Sequence, residues 1–145
     1  MGAADAWRQR RQLKQGKSFM FNLFRNPGVE DISPQEAHEL ASKGEILLVD
    51  VRTPNEWARS GVPENAVLIS LQDPQFLQKL EEAAGGDHDK KVAFICASGG
   101  RSTQVAQALK QYGWNNTLNV AGGVTGSARQ PGWVQLGLPT KPYQG

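Results

Sequence analysis

The only cysteine of the 145-residue chain, Cys96, lies in the stretch FICASGGRS (94–102). It follows an apolar run and is separated from Arg101 by four small residues. A single cysteine cannot form an intrachain disulfide, so this thiol is either an inert packing residue or a reactive group. Because the thiolate is the nucleophilic form of cysteine, a permanent cation five residues away favours the reactive interpretation.

The small residues after Cys96 predict a loop whose backbone approaches the sulfur. Glycines at 99 and 100 allow backbone angles closed to bulkier residues, so several N–H groups can converge on one point. A helix is predicted to begin here, and its free N–H groups and positive dipole end would favour a thiolate. The sequence therefore predicts an anion cradle around the sulfur of Cys96.

The predicted site has two catalytic residues, Cys96 and Arg101. Arg101 either contacts the substrate anion or holds the carbonyls of the loop. Arg52 and Glu56 are predicted to pair and fix the strand end beside the site, and the alternative is that Arg52 attracts anions. The predicted substrate-binding residues are Ala97, Ser98, Gly99, Gly100, Ser102 and Arg52.

Helix and strand patterns alternate from about residue 28 onward, which predicts βα units around a mostly parallel sheet. The segment SPQE (33–36) combines a capping serine, a proline suited to the first helical position and a glutamate three residues beyond the cap. The α/β alternation places Cys96 at the carboxyl end of a strand, where ligands collect in open sheets. Helices are predicted from 34 to about 43, at 54–60, after 73–74 and at 101–112, and strands at 46–49, 66–71, 92–95 and 118–120.

Composition and charge narrow the function. The chain is 39% hydrophobic and 21% charged, with a net charge of +2. Residues 1–27 form a basic leader with six basic side chains and one acidic, whereas the body at 28–145 is mildly acidic. This distribution argues against nucleic-acid binding by the body. The leader is either a disordered arm or a segment that makes weak membrane or partner contact through residues 7–25. The histidines are not ligand-spaced, so no metal and no cofactor are expected, and a cytoplasmic location is the default.

Three segments in order resemble the rhodanese family of sulfurtransferases, over roughly residues 28 to 141. CASGGRS (96–102) is similar to the family's active-site loop, and LLVDVRTPNEW (47–57) to its DVR-x-x-x-E-[FW] signature. VAGGVTGSARQPGWVQLGLP (120–139) is similar to its C-terminal GG…W…G-x-P segment. The turn SGVPENA (60–66) departs from the family's Gly-His-Ile-Pro-Gly-Ala pattern, because the histidine is absent.

The resemblance implies a rhodanese-like fold with a mostly parallel five-stranded sheet and helices on both faces. It implies a sulfurtransferase that moves a sulfane sulfur from a small donor, such as thiosulfate, to cyanide or a thiol, including a protein thiol, through a persulfide on Cys96. One alternative is a cysteine phosphatase, although such loops usually have five residues between cysteine and arginine rather than four. The other is a non-catalytic rhodanese-like module that binds a partner.

Overall fold

A computed structural model of the protein describes residues 28–145. Strands and helices alternate along most of this part of the chain. The strands are β1 (Glu30–Ile32), β2 (Leu47–Asp50), β3 (Val62–Pro63), β4 (Val67–Leu68), β5 (Lys91–Ile95), β6 (Asn116–Val120) and β7 (Thr140–Lys141). The helices are α1 (Pro34–Ser42), α2 (Pro54–Ser60), α3 (Phe76–Ala83) and α4 (Gly100–Gln111).

The central sheet has five parallel strands in the order β1–β6–β5–β2–β4. Side chains of β5 alternate between two apolar clusters, with Val92 and Phe94 in one and Ala93 and Ile95 in the other. The first cluster includes buried residues of α3 and α4, and the second includes Ala37 of α1. Helices therefore cover both faces, and the predicted fold class is confirmed. β3 and β7 form a separate antiparallel pair.

The helix starts follow from local capping. The Ser33 hydroxyl accepts the Glu36 N–H at 3.0 Å, and Pro34 occupies the first turn of α1, as the segment 33–36 predicts. Thr53 and Glu56 form a reciprocal capping box at the start of α2. Each cap satisfies backbone donors that have no partner within the helix, which fixes where the helix begins.

Some boundaries differ from the sequence prediction. β1 is not predicted, because three residues are too short to show a pattern, yet it extends the sheet beside β6. β4 spans two residues rather than six. The buried face of α4 consists of Ser102, Ala106 and Leu109.

No helix within residues 28–145 is long and apolar enough to cross a bilayer. The basic leader and the contact expected of residues 7–25 lie outside the described residues.

The fold brings three strand ends to one edge of the sheet. β5 lies between β6 and β2, and Cys96 directly follows β5. Asp50 ends β2, and the glycine pair 122–123 follows β6 by one residue. Because parallel strands end at the same edge, these segments surround the cysteine.

Candidate active site

The loop after β5 directs hydrogen-bond donors at the sulfur of Cys96. The Gly99 N–H donates to Sγ at 3.1 Å, and the Ser102 hydroxyl lies 3.2 Å from Sγ. Gly99 has φ of +115° and ψ of −13°, a left-handed conformation that glycine adopts at little cost. This conformation caps α4 while turning the Gly99 N–H toward the sulfur.

These donors set the ionisation of the thiol. Burial of Cys96, which is 1% exposed, would raise its pKa. Hydrogen bonds from the Ser102 hydroxyl and from the backbone N–H groups of Ser102, Gly99 and Ser98 outweigh that effect, so the pKa lies below the usual value of a thiol. The cysteine is thus buried without being inert, because polar groups that favour its charged form are built around it.

The C-terminal segment supports the loop from behind. The Val124 N–H donates to the Cys96 carbonyl at 2.8 Å, and the Thr125 N–H donates to the Ala97 carbonyl at 2.9 Å. A Cβ atom at Gly123 would lie 2.5 Å from both carbonyl oxygens, so only glycine fits there. With these carbonyls engaged behind the loop, its N–H groups are free to face the sulfur.

A buried polar chain leads from the sulfur to the edge of the sheet. The Ser102 hydroxyl lies 2.5 Å from Asn119 Oδ1, and Asn119 Nδ2 donates to Asp31 Oδ1 at 3.0 Å. Because the carboxylate can only accept, it fixes which end of the Asn119 amide faces Ser102. Asn119 therefore holds Ser102 Oγ beside Cys96, and the single hydroxyl proton of Ser102 is shared between Asn119 Oδ1 and Cys96 Sγ.

Arg101 forms a bidentate ion pair with Glu56. Nη1 and Nη2 donate to Oε1 and Oε2 at 2.8 and 2.9 Å. This pair lowers the pKa of Glu56 from 4.5 to about 2 and raises the pKa of Arg101. The negative charge of Cys96 also raises the pKa of Arg101. The partner of Arg101 is thus a carboxylate on α2, which neither predicted role of this arginine included.

The predicted pair of Arg52 with Glu56 is wrong. Arg52 is 1% exposed and donates from Nε and Nη2 to the buried carboxylate of Asp50. Nη1 donates to the Ser60 hydroxyl at 2.8 Å, and Nη2 also donates to the Gly61 carbonyl at 3.0 Å. The substrate-binding role predicted for Arg52 therefore has no support in the structure, because the guanidinium ties the end of β2 to the end of α2.

Among the predicted loop residues, Ser98, Gly99 and Ser102 lie at the sulfur as hydrogen-bond donors. Ala97 contributes its carbonyl to the support behind the loop, and Gly100 begins α4 with open space beside it.

Sequence reasoning missed Asn119, Asp31 and the support from 124–125. A polar residue inside an apolar strand just before the glycine pair was the available signal for Asn119.

Within residues 28–145, no three histidine, cysteine or acidic side chains come together as metal ligands.

Comparison with known proteins agrees with this geometry. Residues 33–130 match the family described as Rhodanese-like domain. A sulfurtransferase of Allochromatium vinosum is 34% identical over 103 residues, which cover 71% of this chain and 85% of that protein. The thiosulfate sulfurtransferase GlpE of Haemophilus influenzae is 36% identical over 110 residues, covering 76% and 92% respectively. The solved polysulfide-sulfur transferase homodimer from Wolinella succinogenes has a TM-score of 0.63 and 27% identity, covering 80% of each chain. The match spans more than half of the sequence, so the chain belongs to the rhodanese-like domain family.

Proposed function

We propose that the protein is a sulfurtransferase that carries sulfane sulfur as a persulfide on Cys96. The observation that carries this proposal is the convergence of hydroxyl and backbone donors on one thiol sulfur. Family membership and the sulfurtransferase relatives support the same type of function.

In the first step, the Cys96 thiolate attacks the outer sulfur of the donor. An S–S bond forms to Cys96, the S–S bond within the donor breaks, and the electron pair leaves with the departing group, which is sulfite when the donor is thiosulfate. No separate base is needed, because the thiolate is already favoured by its hydrogen bonds.

In the second step, an acceptor attacks the outer sulfur of the Cys96 persulfide. Cyanide leaves as thiocyanate, and a thiolate of a small molecule or a protein leaves as a persulfide. The electron pair of the broken bond returns to Cys96 and restores the thiolate. The N–H groups of the loop stabilise the negative charge on sulfur at both stages.

Donor access requires movement of the loop, since Cys96 is 1% exposed. A Cβ at Gly100 would meet nothing within 4 Å, and one at Gly99 would meet only Asn119 Nδ2, at 3.8 Å. This open space gives the loop room to admit a donor. We therefore expect alkylation of Cys96 by a small reagent to be faster than alkylation by a bulky one.

Sulfur transfer fits the site better than phosphate chemistry. Four residues separate Cys96 from Arg101, and both terminal nitrogens of the arginine bind Glu56. A phosphatase needs such a guanidinium to clamp phosphate oxygens. Here one N–H donor of each terminal nitrogen of Arg101 is engaged by the Glu56 carboxylate.

The test supplies a sulfane donor, thiosulfate or an organic persulfide, with cyanide, and in parallel an aryl phosphate. We expect thiocyanate to accumulate and the phosphate ester to remain intact. Cys96→Ser should remove turnover while leaving the unfolding midpoint nearly unchanged. Hydrolysis of the phosphate without sulfur transfer would favour the phosphatase, and neither activity would favour a non-catalytic module.

A further inference from the structure

The polar chain from Cys96 to Asp31 has an order of donors and acceptors that limits what Ser102 can do. Ser102 Oγ lies 2.5 Å from Asn119 Oδ1 and 3.2 Å from Cys96 Sγ, and both Ser102 and Asn119 are buried. The Gly99 carbonyl oxygen, at 3.2 Å, is a further acceptor. A hydroxyl has one proton, so donation to one acceptor withdraws it from the others. The amide oxygen therefore competes with the sulfur for the Ser102 proton.

Asp31 decides which atom of the Asn119 amide faces the serine. The two residues are register partners on the adjacent parallel strands β1 and β6, so their side chains lie side by side on the same face of the sheet. Asn119 Nδ2 donates to Asp31 Oδ1 at 3.0 Å, and an ionised carboxylate has no proton to offer the amide in return. With Nδ2 bound to Asp31, Oδ1 is left to face Ser102.

The opposite orientation of the amide would change the bonding of the sulfur. With Nδ2 toward Ser102, the amide would donate to the serine oxygen. The hydroxyl proton would then go to the Cys96 thiolate, which as a charged acceptor forms the stronger hydrogen bond. Such a bond favours the charged form of a thiol. The orientation held by Asp31 therefore gives the thiolate less stabilisation than the Ser102 hydroxyl could supply.

We propose that Asp31 is a positioning residue that, by orienting the Asn119 amide, withholds part of the Ser102 hydrogen bond from the Cys96 thiolate. Less stabilisation leaves the sulfur a stronger nucleophile, because the intrinsic nucleophilicity of a thiolate falls as its basicity falls. The amide oxygen also gives Ser102 an acceptor once Sγ is bonded to a second sulfur and no longer carries the charge. This consequence for the reaction rests on the proposed sulfur transfer, whereas the ionisation of Cys96 is measured without it.

The other charged groups on the described elements that flank Cys96 are already paired. Arg101 of α4 binds Glu56 of α2, and Arg52, which follows β2, binds Asp50. The segment that supports the loop from behind is uncharged. A substitution on β1 leaves both pairs in place, so it acts on the thiol either through the amide and the hydroxyl or directly through space.

The experiment measures the rate of Cys96 alkylation by iodoacetamide as a function of pH in the full-length chain. Asp31→Asn keeps the size of the side chain and provides an amide that can donate to Asn119 Oδ1, so Asn119 is free to turn. It is compared with wild type, with Ser102→Ala, with the double variant and with Glu30→Gln. Glu30 is the neighbouring exposed acid of β1, on the opposite face of the sheet, so Glu30→Gln removes an equal charge without touching the amide.

The midpoint of the profile should fall by about 0.5 to 1 pH unit in Asp31→Asn, the size expected when the thiolate gains one hydrogen bond. The plateau rate at high pH, where the thiol is fully ionised, should fall about twofold. In the Ser102→Ala background, Asp31→Asn should change neither quantity, because the hydroxyl that transmits its effect is gone. Glu30→Gln should match wild type.

An unchanged or raised midpoint in Asp31→Asn would overturn the inference. An equal shift in Glu30→Gln, or a shift that persists without the Ser102 hydroxyl, would also overturn it, since either would indicate direct charge repulsion. If Ser102→Ala does not fold, the comparison of Asp31→Asn with Glu30→Gln decides. Alkylation involves no sulfur donor, so absence of thiocyanate formation would overturn the proposed function and leave the positioning role of Asp31 intact.

Discussion

Replacing Glu56 with glutamine should destabilise the protein at neutral pH and do so progressively less in acid. In the folded protein Arg101, with smaller contributions from hydrogen bonds of Thr53, lowers the pKa of Glu56 from 4.5 to about 2. At about 1.36 kcal/mol for each pKa unit, this corresponds to at most about 3.4 kcal/mol of stability at neutral pH. The Arg101 side chain is 41% exposed, so solvent screening reduces the expected loss to about 1–2 kcal/mol.

The pH dependence has a definite sign. Because folding lowers this pKa, the stabilisation is fully present above 4.5 and is lost as pH falls toward 2. The free energies of unfolding of the wild-type protein and of Glu56→Gln should therefore differ most at neutral pH and converge in acid.

Urea unfolding across this pH range, followed by tryptophan fluorescence, measures the difference, with Glu82→Gln as the matched control. The control should lie within about 0.5 kcal/mol of wild type at every pH. A loss in Glu56→Gln that is independent of pH, or no loss at all, would refute an ion pair between Glu56 and Arg101.

Three other substitutions test the surroundings of the thiol. Ser102→Ala removes a hydroxyl that lowers the pKa of Cys96, so the pH profile of alkylation by iodoacetamide should shift to higher pH; an unchanged profile would mean that the backbone donors suffice. Gly123→Ala places a Cβ against two loop carbonyls and should lower stability by about 2 kcal/mol more than Gly44→Ala, which also has positive φ but nothing within 4 Å; equal losses in thermal unfolding would contradict that close approach. Arg52→Ala leaves a buried carboxylate unpaired and should cost about 3–5 kcal/mol in urea unfolding, whereas a loss under about 1 kcal/mol would contradict the buried pair.

Local features of the fold could be predicted from sequence because their causes are local. The cap at Ser33 and the glycine-rich start of α4 depend on residues within a few positions of one another. The alternation of buried strands with helices likewise predicted a parallel sheet with Cys96 at its carboxyl edge. β1 could not be predicted from the sequence, because a three-residue strand is stabilised by its pairing with β6. No local sequence pattern encodes that contact.

The pairing of charges could not be predicted, because it depends on long-range placement. The pair of Glu56 with Arg52 was predicted because the two residues are close in sequence. In the structure Glu56 instead binds Arg101, 45 residues away. Asn119 and Asp31 are 88 residues apart and meet only because β1 lies beside β6. Register and strand order decide such contacts, and they become visible only in three dimensions.

The central claim is that the hydrogen-bonded sulfur of Cys96 accepts and holds a second sulfur atom. The most direct test is the intact mass of the full chain after exposure to a sulfane donor, using both thiosulfate and 2-mercaptoethanol persulfide, followed by removal of excess reagent. We expect a gain of one sulfur atom that reductant reverses, that peptide mapping places on Cys96, and that Cys96→Ser abolishes. No gain from either donor, or the same gain in Cys96→Ser, would contradict the account.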